Sequence, residues 1–250
     1  GSKDVTSLLA IDANTLFAGT GGNGLYKTTD KGLNWSAVNS ASLNSKDITA
    51  LTKGGSRLFA LVRNGGVFAS DDNGATWFSL NDANTLNKTA SEYFTYNTVN
   101  NQLLVSNTDG LFVLASASTT LAPAYTSANT GLPMHTHIHG LTNNGSKWLA
   151  ASHSGLFQTA TSSISWASAN TGISSTDISV VVAVDDTLVL GVEKLGIYKS
   201  NAGTISWVAN NTGMTNINTY SIACKGDSMV LTATEYGVTL STNIGNNPVL

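Results

Sequence analysis

The residues of this 250-residue chain with the most varied chemistry open to them are its four histidines. Three alternate in His135-Thr136-His137-Ile138-His139, and on an extended strand that spacing places all three imidazoles on one side. His153 follows closely, in what reads as the adjacent turn of the same unit. Neutral imidazoles in such an array could hold zinc or copper, with Glu92 or Asp109 as the expected added ligand. Against this, histidines at i and i+2 along a strand are not a spacing of structural zinc sites, and a polar start to a strand, free of metal, is the competing reading. Beyond a divalent metal at His135, His137, His139 and His153, no cofactor is expected.

Five carboxylates offer a second kind of chemistry. Asp47, Glu92, Asp177, Glu193 and Glu235 are enough to supply the pair of a glycoside hydrolase, which stands ~5–5.5 Å apart for retention and ~6.5–9.5 Å for inversion. No long insertion supplies a cleft wall around them. The single cysteine, Cys224, excludes an intrachain disulfide and has no His-Asp partnership in the sequence, so it reads as a small buried side chain. Ten Lys and two Arg against a net charge of −3 exclude a nucleic-acid surface, which needs clustered cations. No apolar run reaches the ~18 residues of a membrane span. Charged residues make up only 11% of the chain and apolar ones 41%, a composition that excludes a coiled coil and a disordered acidic tail.

The elements that must position these side chains are legible as a repeat. A Gly-aliphatic-aromatic triplet recurs at Gly24-Leu25-Tyr26, Gly66-Val67-Phe68, Gly110-Leu111-Phe112, Gly155-Leu156-Phe157 and Gly196-Ile197-Tyr198, and a sixth copy, Gly237-Val238-Thr239, lacks the ring. Successive glycines are 42, 44, 45, 41 and 41 residues apart, a period within the range of propeller blades. A short apolar run precedes each triplet, as in Leu58-Phe59-Ala60. A large ring follows it, at Trp35, Trp77, Tyr125, Trp166 and Trp207, and an Asn lies four residues beyond each ring, at Asn39, Asn81, Asn129, Asn170 and Asn211.

Each unit reads as four short strands separated by Gly, Asn, Asp and Ser, which supply the positive φ and local side-chain bonds of tight turns. In the second unit the strands are Ile48–Thr52, Leu58–Val62, Val67–Ser70 and Thr76–Leu80. No stretch has the 3.6-residue apolar period of a helix. A lone four-stranded meander leaves two faces and an edge in water, whereas radial packing of six buries both faces. The expected fold is an all-β, six-bladed β-propeller with four antiparallel strands per blade. It forms one domain over residues 1-250, with blades near 4-46, 47-90, 91-135, 136-176, 177-217 and 218-250. The first unit already has four strands and the last ends near Pro248, so closure is expected to rest on packing between the terminal blades.

Ser70-Asp71-Asp72-Asn73-Gly74-Ala75-Thr76-Trp77 fits Ser-x-Asp-x-Gly-x-Thr-Trp at every fixed position. Thr28-Thr29-Asp30-Lys31-Gly32-Leu33-Asn34-Trp35 fits with two conservative changes, and the copies ending at Trp166 and Trp207 have decayed. On these motifs the chain resembles the Asp-box, or BNR-like, repeat propellers over essentially its whole length. In style it is similar to exported bacterial repeat proteins described as sialidase-like or as photosystem II assembly factor-like. The resemblance implies the fold and says little of activity. In the motif itself Ser70, Asp72, Gly74 and Trp77, with Asp30, Gly32 and Trp35, read as structural. Asp72 is expected to accept the N–H groups of its own turn, Gly74 to take positive φ, and Trp77 to wedge against a neighbouring sheet. Calcium or sugar ligation at Asp30 or Asp72 is the alternative. Sialidases clamp their substrate with three arginines; this chain has Arg57 and Arg63 alone, which map to opposite ends of the blades, so that activity is disfavoured.

In a four-stranded blade the connection into the first strand and the turn between the second and third share one end. That end is expected to collect Asp47, Glu92, His135, His137 and Asp177 from the connections, and Arg63, Asp109, His153, Glu193, Lys194, Glu235 and Tyr236 from the turns. The opposite end receives Asp30, Asp72, Lys53, Arg57, Asn143, Asn144 and Asp227, which read as turn and solubility residues. A chain this poor in charge that gathers all its glutamates at one open, shallow mouth points to ligand binding there, through Glu92, His137, His153, Arg63, Glu193, Glu235 and Tyr236. Tyr236 and Phe94 are the rings expected to stack on a sugar. Gly1-Ser2 reads as a cleavage remnant, and 26 Asn with few Lys and one Cys suit a bacterial exported protein, extracellular or periplasmic. The expected function is a non-catalytic recognition or scaffold module for a protein or glycan, without nucleic acid or membrane insertion, as a monomer or part of a longer multidomain chain. The alternative is a carbohydrate-active enzyme other than a sialidase, with Asp47, Glu92, Asp177, Glu193 and Glu235 as its catalytic candidates.

Overall fold

A computed structural model describes residues 4–38, 43, 47–82, 91–117, 123–212, 214, 217–225 and 229–241. The chain is an all-β, six-bladed β-propeller of antiparallel sheets. Among the described residues there is no helix, and so none long and apolar enough to cross a membrane. The chain divides into two compact units, Gly1–Ala128 and Asn129–Leu250, each holding three blades.

In the first unit the blades are Val5–Ala10, Leu16–Thr20, Gly24–Thr28 and Ser36–Ala37; Ile48–Gly54, Arg57–Val62, Gly66–Ser70 and Phe78–Ser79; and Ser91–Asn97, Gln102–Asn107, Gly110–Leu114 and Tyr125–Ser127. In the second unit they are Ile138–Asn143, Lys147–Ser152, Gly155–Ala160 and Ser163–Ser168; Ile178–Val184, Thr187–Val192, Gly196–Asn201 and Val208–Ala209; and Thr219–Lys225, Met229–Thr234 and Gly237–Ser241. Every sheet is a meander with its strands in chain order. The fourth strand expected for the last blade, towards Pro248, lies outside the described residues, as do Asn39 and Asp227.

Alternation along the second strand shows why blades must pack on one another. In Arg57–Val62, Leu58, Ala60 and Val62 join Phe17, Leu25, Ile48, Phe68 and Trp77 in a core between blades one and two. Phe59 and Leu61 point the other way, into a core with Phe94, Leu103, Val105 and Tyr125 of blade three. The second unit repeats the arrangement. Leu188, Leu190 and Val192 pack with Leu149, Leu156 and Trp207 between blades four and five, while Val189 packs with Ile197, Ile222 and Val230 towards blade six. A strand buried on both faces reads as an unbroken apolar run, and each large side chain so buried contributes ~1.5–3 kcal/mol.

The turn from Ser70 to Trp77 closes on itself through side-chain bonds. Asp72 Oδ1 accepts the Ser70 hydroxyl and the Thr76 N–H, both at 2.8 Å, and Oδ2 accepts the Thr76 hydroxyl at 2.6 Å. The Thr76 hydroxyl foremost, then its N–H and the Ser70 hydroxyl, outweigh desolvation and hold the Asp72 carboxyl at about 2. Asp30, bonded by the Asn34 N–H and the Thr28 hydroxyl, is likewise held at about 2. With these oxygens engaged by their own turns, both carboxylates act as turn caps. Gly74 takes φ 81° and Gly32 φ 90°. Trp77 is buried and its indole N–H donates to Gly74 O at 3.2 Å; Trp35 makes the same bond to Gly32 O at 3.1 Å but stays 38% exposed.

Arg57 departs from the expectation of a solubility residue. It is 5% exposed, its guanidinium grips both Asp71 oxygens at 2.6 and 2.7 Å, and Nη1 donates to Ala117 O of blade three at 2.8 Å. A planar fork can serve a carboxylate and a carbonyl together, so this charge ties two blades.

Candidate binding cluster at the start of blades four and five

The connection into a blade and its second turn meet at one end, as the meander requires. Gly21 N donates to Asp4 O at 2.8 Å, Arg63 N to Asp47 O at 2.9 Å and Glu193 N to Asp177 O at 2.9 Å. The side chains at these positions then face each other. Arg63 Nε binds Asp47 Oδ2 at 2.7 Å, Asn218 Nδ2 binds Glu235 Oε2 at 3.2 Å, and the rings of His137 and His153 lie 6.5 Å apart.

A second device re-aims side chains at this end. The first strand of every blade carries a register irregularity where it pairs with the second strand, between Val5 and Ser7, Ile48 and Ala50, Ile138 and Gly140, Ile178 and Val180, and Thr219 and Ser221, and opposite Val105 and Asn107 in blade three. The extra residues are Thr6, Thr49, His139, Ser179 and Tyr220, with Glu92 and Tyr93 sharing the irregular stretch of blade three. A bulged residue leaves the pleat and turns its side chain aside. Ser179 Oγ thereby reaches Thr219 O of the next blade at 2.8 Å, and Thr6 Oγ1 reaches Ile48 O. His139 does the same with a ring, placing Nδ1 3.2 Å from Ile178 O.

His139 therefore lands beside His153, ring centroids 3.8 Å apart and nearly perpendicular, with His137 5.3 Å from His139. His153 Nδ1 is 2.5 Å from Asp177 Oδ1 of the following blade. Ligand atoms of His139, His153 and Asp177 all lie within 4.8 Å of one another. A carbonyl only accepts, so the His139 ring donates from Nδ1 to Ile178 O. Desolvation first, and then the neighbouring His153, lower the His139 pKa and favour its neutral ring. For Asp177 desolvation pushes upward, but hydrogen bonds with His153 and Glu193 outweigh it and the carboxyl sits below its usual range.

The alternation expected for residues 135–139 does not extend over all three rings. The strand begins at Ile138, and His135 sits in the preceding turn at φ 61°, where Thr136 Oγ1 donates to Pro133 O at 2.7 Å. His135 is thus outside the ring contacts that join His137, His139 and His153. The carboxylate beside the imidazoles is Asp177, from the blade that follows, where Glu92 or Asp109 had been expected. Phe94 is 8% exposed in the core between blades two and three, because its side of the strand faces a neighbouring sheet; it presents no sugar platform. Tyr236 is 80% exposed beside Glu235. Glu92 is half-buried in blade three, and Lys194 Nζ pairs with Glu193 at 3.2 Å.

Sequence reasoning missed the bulge residues, whose one signal is a polar or aromatic residue second in each first strand. It noted the Asn after each ring without its role. Asn81 Oδ1 accepts Val67 N–H at 2.8 Å while Nδ2 donates to Gly65 O at 2.6 Å, and Asn211 repeats both bonds with Ile197 and Leu195, at 2.7 and 2.8 Å. These amides pin the turns that carry Arg63 and Glu193.

No family model matches the chain, and no curated protein sequence matches it. Solved structures do. The chain superposes on PorZ, an essential bacterial surface component of the type-IX secretion system of Porphyromonas gingivalis, with TM-score 0.75 and 16% identity, covering 97% of this chain and 39% of that one. YCF48 bound to D1 peptide gives TM-score 0.75 at 14% identity over 98% of this chain and 80% of that one. An ancestral GH74 enzyme gives TM-score 0.71 at 15% identity over 98% of this chain and 37% of that one. The chain thus spans well under half of the secretion component and of the enzyme. At these identities the likeness is one of fold, and that fold serves both binding modules and carbohydrate-active enzymes.

Proposed function

We propose that this chain is an exported, non-catalytic recognition module of the Asp-box type, and that it binds a protein or glycan through the blade ends where connections and second turns meet. In the second unit the binding residues are His137, His153, Glu193, Glu235 and Tyr236; Arg63 and Glu92 carry the same role on the corresponding ends in the first. The supporting observation is that the carboxylates there are engaged with neighbouring side chains. Asp47 holds Arg63 at 2.7 Å, Asp177 holds His153 at 2.5 Å, and Glu235 takes the Asn218 amide. Such a surface offers fixed donors and acceptors, with the exposed Tyr236 ring beside them, and recognition uses those features without turnover. Likeness in fold to a bacterial surface component supports an extracellular or periplasmic location.

The alternative, a glycoside hydrolase using Asp47, Glu92, Asp177, Glu193 or Glu235, is separated by one experiment. The purified chain is applied to a glycan array and a peptide library, and every glycan it retains is then incubated with it and analysed for cleavage. Retention without cleavage, weakened at least tenfold by Tyr236→Ala or Glu193→Gln, is the expected result. Cleavage abolished by Glu193→Gln would replace the module with the enzyme, and no retention of any glycan or peptide would remove both.

A further inference from the structure

The cluster of His139, His153 and Asp177 has a property that recognition of a protein or glycan does not require: three donor side chains from two blades converge, and the histidine on the bulge has its outer partner already in place. His153 Nδ1 and Asp177 Oδ1 stand 2.5 Å apart, and His139 Nδ1 is held by Ile178 O. Metal-ligating histidines are commonly fixed in this way, the second ring nitrogen donating to a carbonyl or carboxylate so that the first presents its lone pair. His139 is half-buried and held on a bulge. His153 and Asp177 are 62% and 37% exposed, open to an ion from solvent. A tetrahedral ion with bonds of ~2.0–2.2 Å needs donors little more than ~3 Å apart, and these already lie within 4.8 Å.

We infer that His139, His153 and Asp177 form a binding site for a divalent transition-metal ion of the zinc or copper type, with His137 as the fourth donor. Two or three imidazoles and one carboxylate are the donor set such ions prefer, and one that magnesium and calcium do not. The ion takes the place of the proton between His153 Nδ1 and Asp177 Oδ1, which open from 2.5 Å to ligand spacing as it binds, while His139 offers Nε2. The site links blades four and five within the second unit, so occupancy braces the bulge of blade four against the first strand of blade five. This goes beyond the proposed recognition role and stands or falls separately from it.

The test is calorimetric titration of the whole chain with zinc(II) at neutral pH, paralleled by cobalt(II) absorption to report ligand geometry. Expected are one equivalent of zinc, a raised melting temperature with metal, and cobalt bands of a four-coordinate site. His153→Ala, whose exposed side chain can be removed without disturbing the core, abolishes all three. Asp177→Asn exchanges an anionic donor for a neutral amide and weakens zinc binding by ~10-fold at least, the lower bound for loss of a mere outer partner. His135→Ala leaves the titration unchanged. The inference is overturned by absence of zinc heat in the unaltered chain, by binding that survives His153→Ala, or by an equal loss in His135→Ala, which would mark loose adsorption to surface imidazoles. Loss of glycan or peptide retention with zinc binding intact overturns the recognition role alone.

Discussion

His139 and Ser179 occupy the same position of two successive blades, each the extra residue of a β-bulge and each aimed at a backbone carbonyl of the blade that follows, Ile178 O at 3.2 Å and Thr219 O at 2.8 Å. The fold asks this position for a short polar contact between sheets; a hydroxyl meets that demand, and an imidazole meets it with a second nitrogen left over. His139→Ser is therefore expected to keep thermal stability within about 1 kcal/mol of the parent, since it installs the residue blade five already uses. Ser179→Ala, which removes a hydroxyl bonded at 2.8 Å, is expected to cost about 1 kcal/mol. Urea denaturation of the two variants checks this. A larger loss in His139→Ser than in Ser179→Ala would show that the ring, and not the contact, sustains that seam.

Positive φ and steric crowding can be separated at two turn glycines. Gly55 sits at φ 63° with nothing within 4 Å of where a Cβ would stand, whereas Gly74 sits at φ 81° with its absent Cβ 2.4 Å from Phe17 Cζ. Gly55→Ala incurs the left-handed strain alone, ~1–2 kcal/mol. Gly74→Ala incurs the strain and also displaces a core ring of blade one, so its loss is expected to exceed the first by ~1–3 kcal/mol. Equal losses in denaturant midpoints would mean that Phe17 yields freely.

The turn amides make a charge-dependent prediction. Asn211 serves a donor and an acceptor at once, Ile197 N–H and Leu195 O. Asn211→Asp keeps the acceptor but sets a carboxylate oxygen against a carbonyl oxygen, so at pH 7 it is expected to be less stable than the parent by ~1–3 kcal/mol. Its deficit shrinks as the introduced carboxyl is protonated, whose O–H can then donate to Leu195 O. Melting curves at pH 7 and pH 4 measure it, and a deficit unchanged by pH would place the Leu195 contact outside the energetics of the turn.

The blades were legible because their signal is periodic and local. Doubly buried strands such as Leu58–Val62 demand unbroken apolar runs, and turns at positive φ demand glycine, so Gly66 and Gly74 stood out. The cluster was legible only in part. Residues 135–139 alternate on paper, but Pro133 and the turn it introduces hold His135 back, and the strand starts three residues later. That Asp177 would be the partner depends on which blades are neighbours and on a bulge rotating His139 aside, and no local pattern encodes either. Arg57 was misread for the same reason: its partner Ala117 O is sixty residues away.

Arg57 should accordingly behave as a core residue. Arg57→Ala leaves Ala117 O without its donor and Asp71 without its cation, and it opens space beside Phe78, whose ring the guanidinium covers at 5.2 Å. The expected loss is ~2–4 kcal/mol, at the lower side of buried pairs because Asp71 is half exposed. Arg57→Lys restores charge but not the two-pronged grip, and is expected to recover less than half of that loss. Asp71→Ala, which leaves the Ala117 bond in place, is expected to cost less than Arg57→Ala. The reverse order in chemical denaturation would assign the stabilisation to the ion pair and not to the bridge between blades.

Acid sensitivity of the two turn carboxylates closes the set, and its sign follows from linkage. Asp30 and Asp72 are held at about 2, below the 3.8 of an unstructured aspartate, by the N–H and hydroxyl donors of their own turns. The unfolded chain therefore binds protons at these positions before the folded chain does, and stability falls with pH wherever the two differ. Their contribution is complete above about pH 4 and drains away as pH drops towards 2. Asp72→Ala removes half of that dependence and Asp30→Ala together with Asp72→Ala removes all of it. The gap in melting temperature between the parent and the double variant is expected to be constant from pH 7 to pH 5 and to narrow steadily below pH 4. A gap that stays constant to pH 2 would mean that the turns hold the protonated carboxyl as well as the charged one, which acceptor-only geometry at Asp72 Oδ1 and Oδ2 opposes.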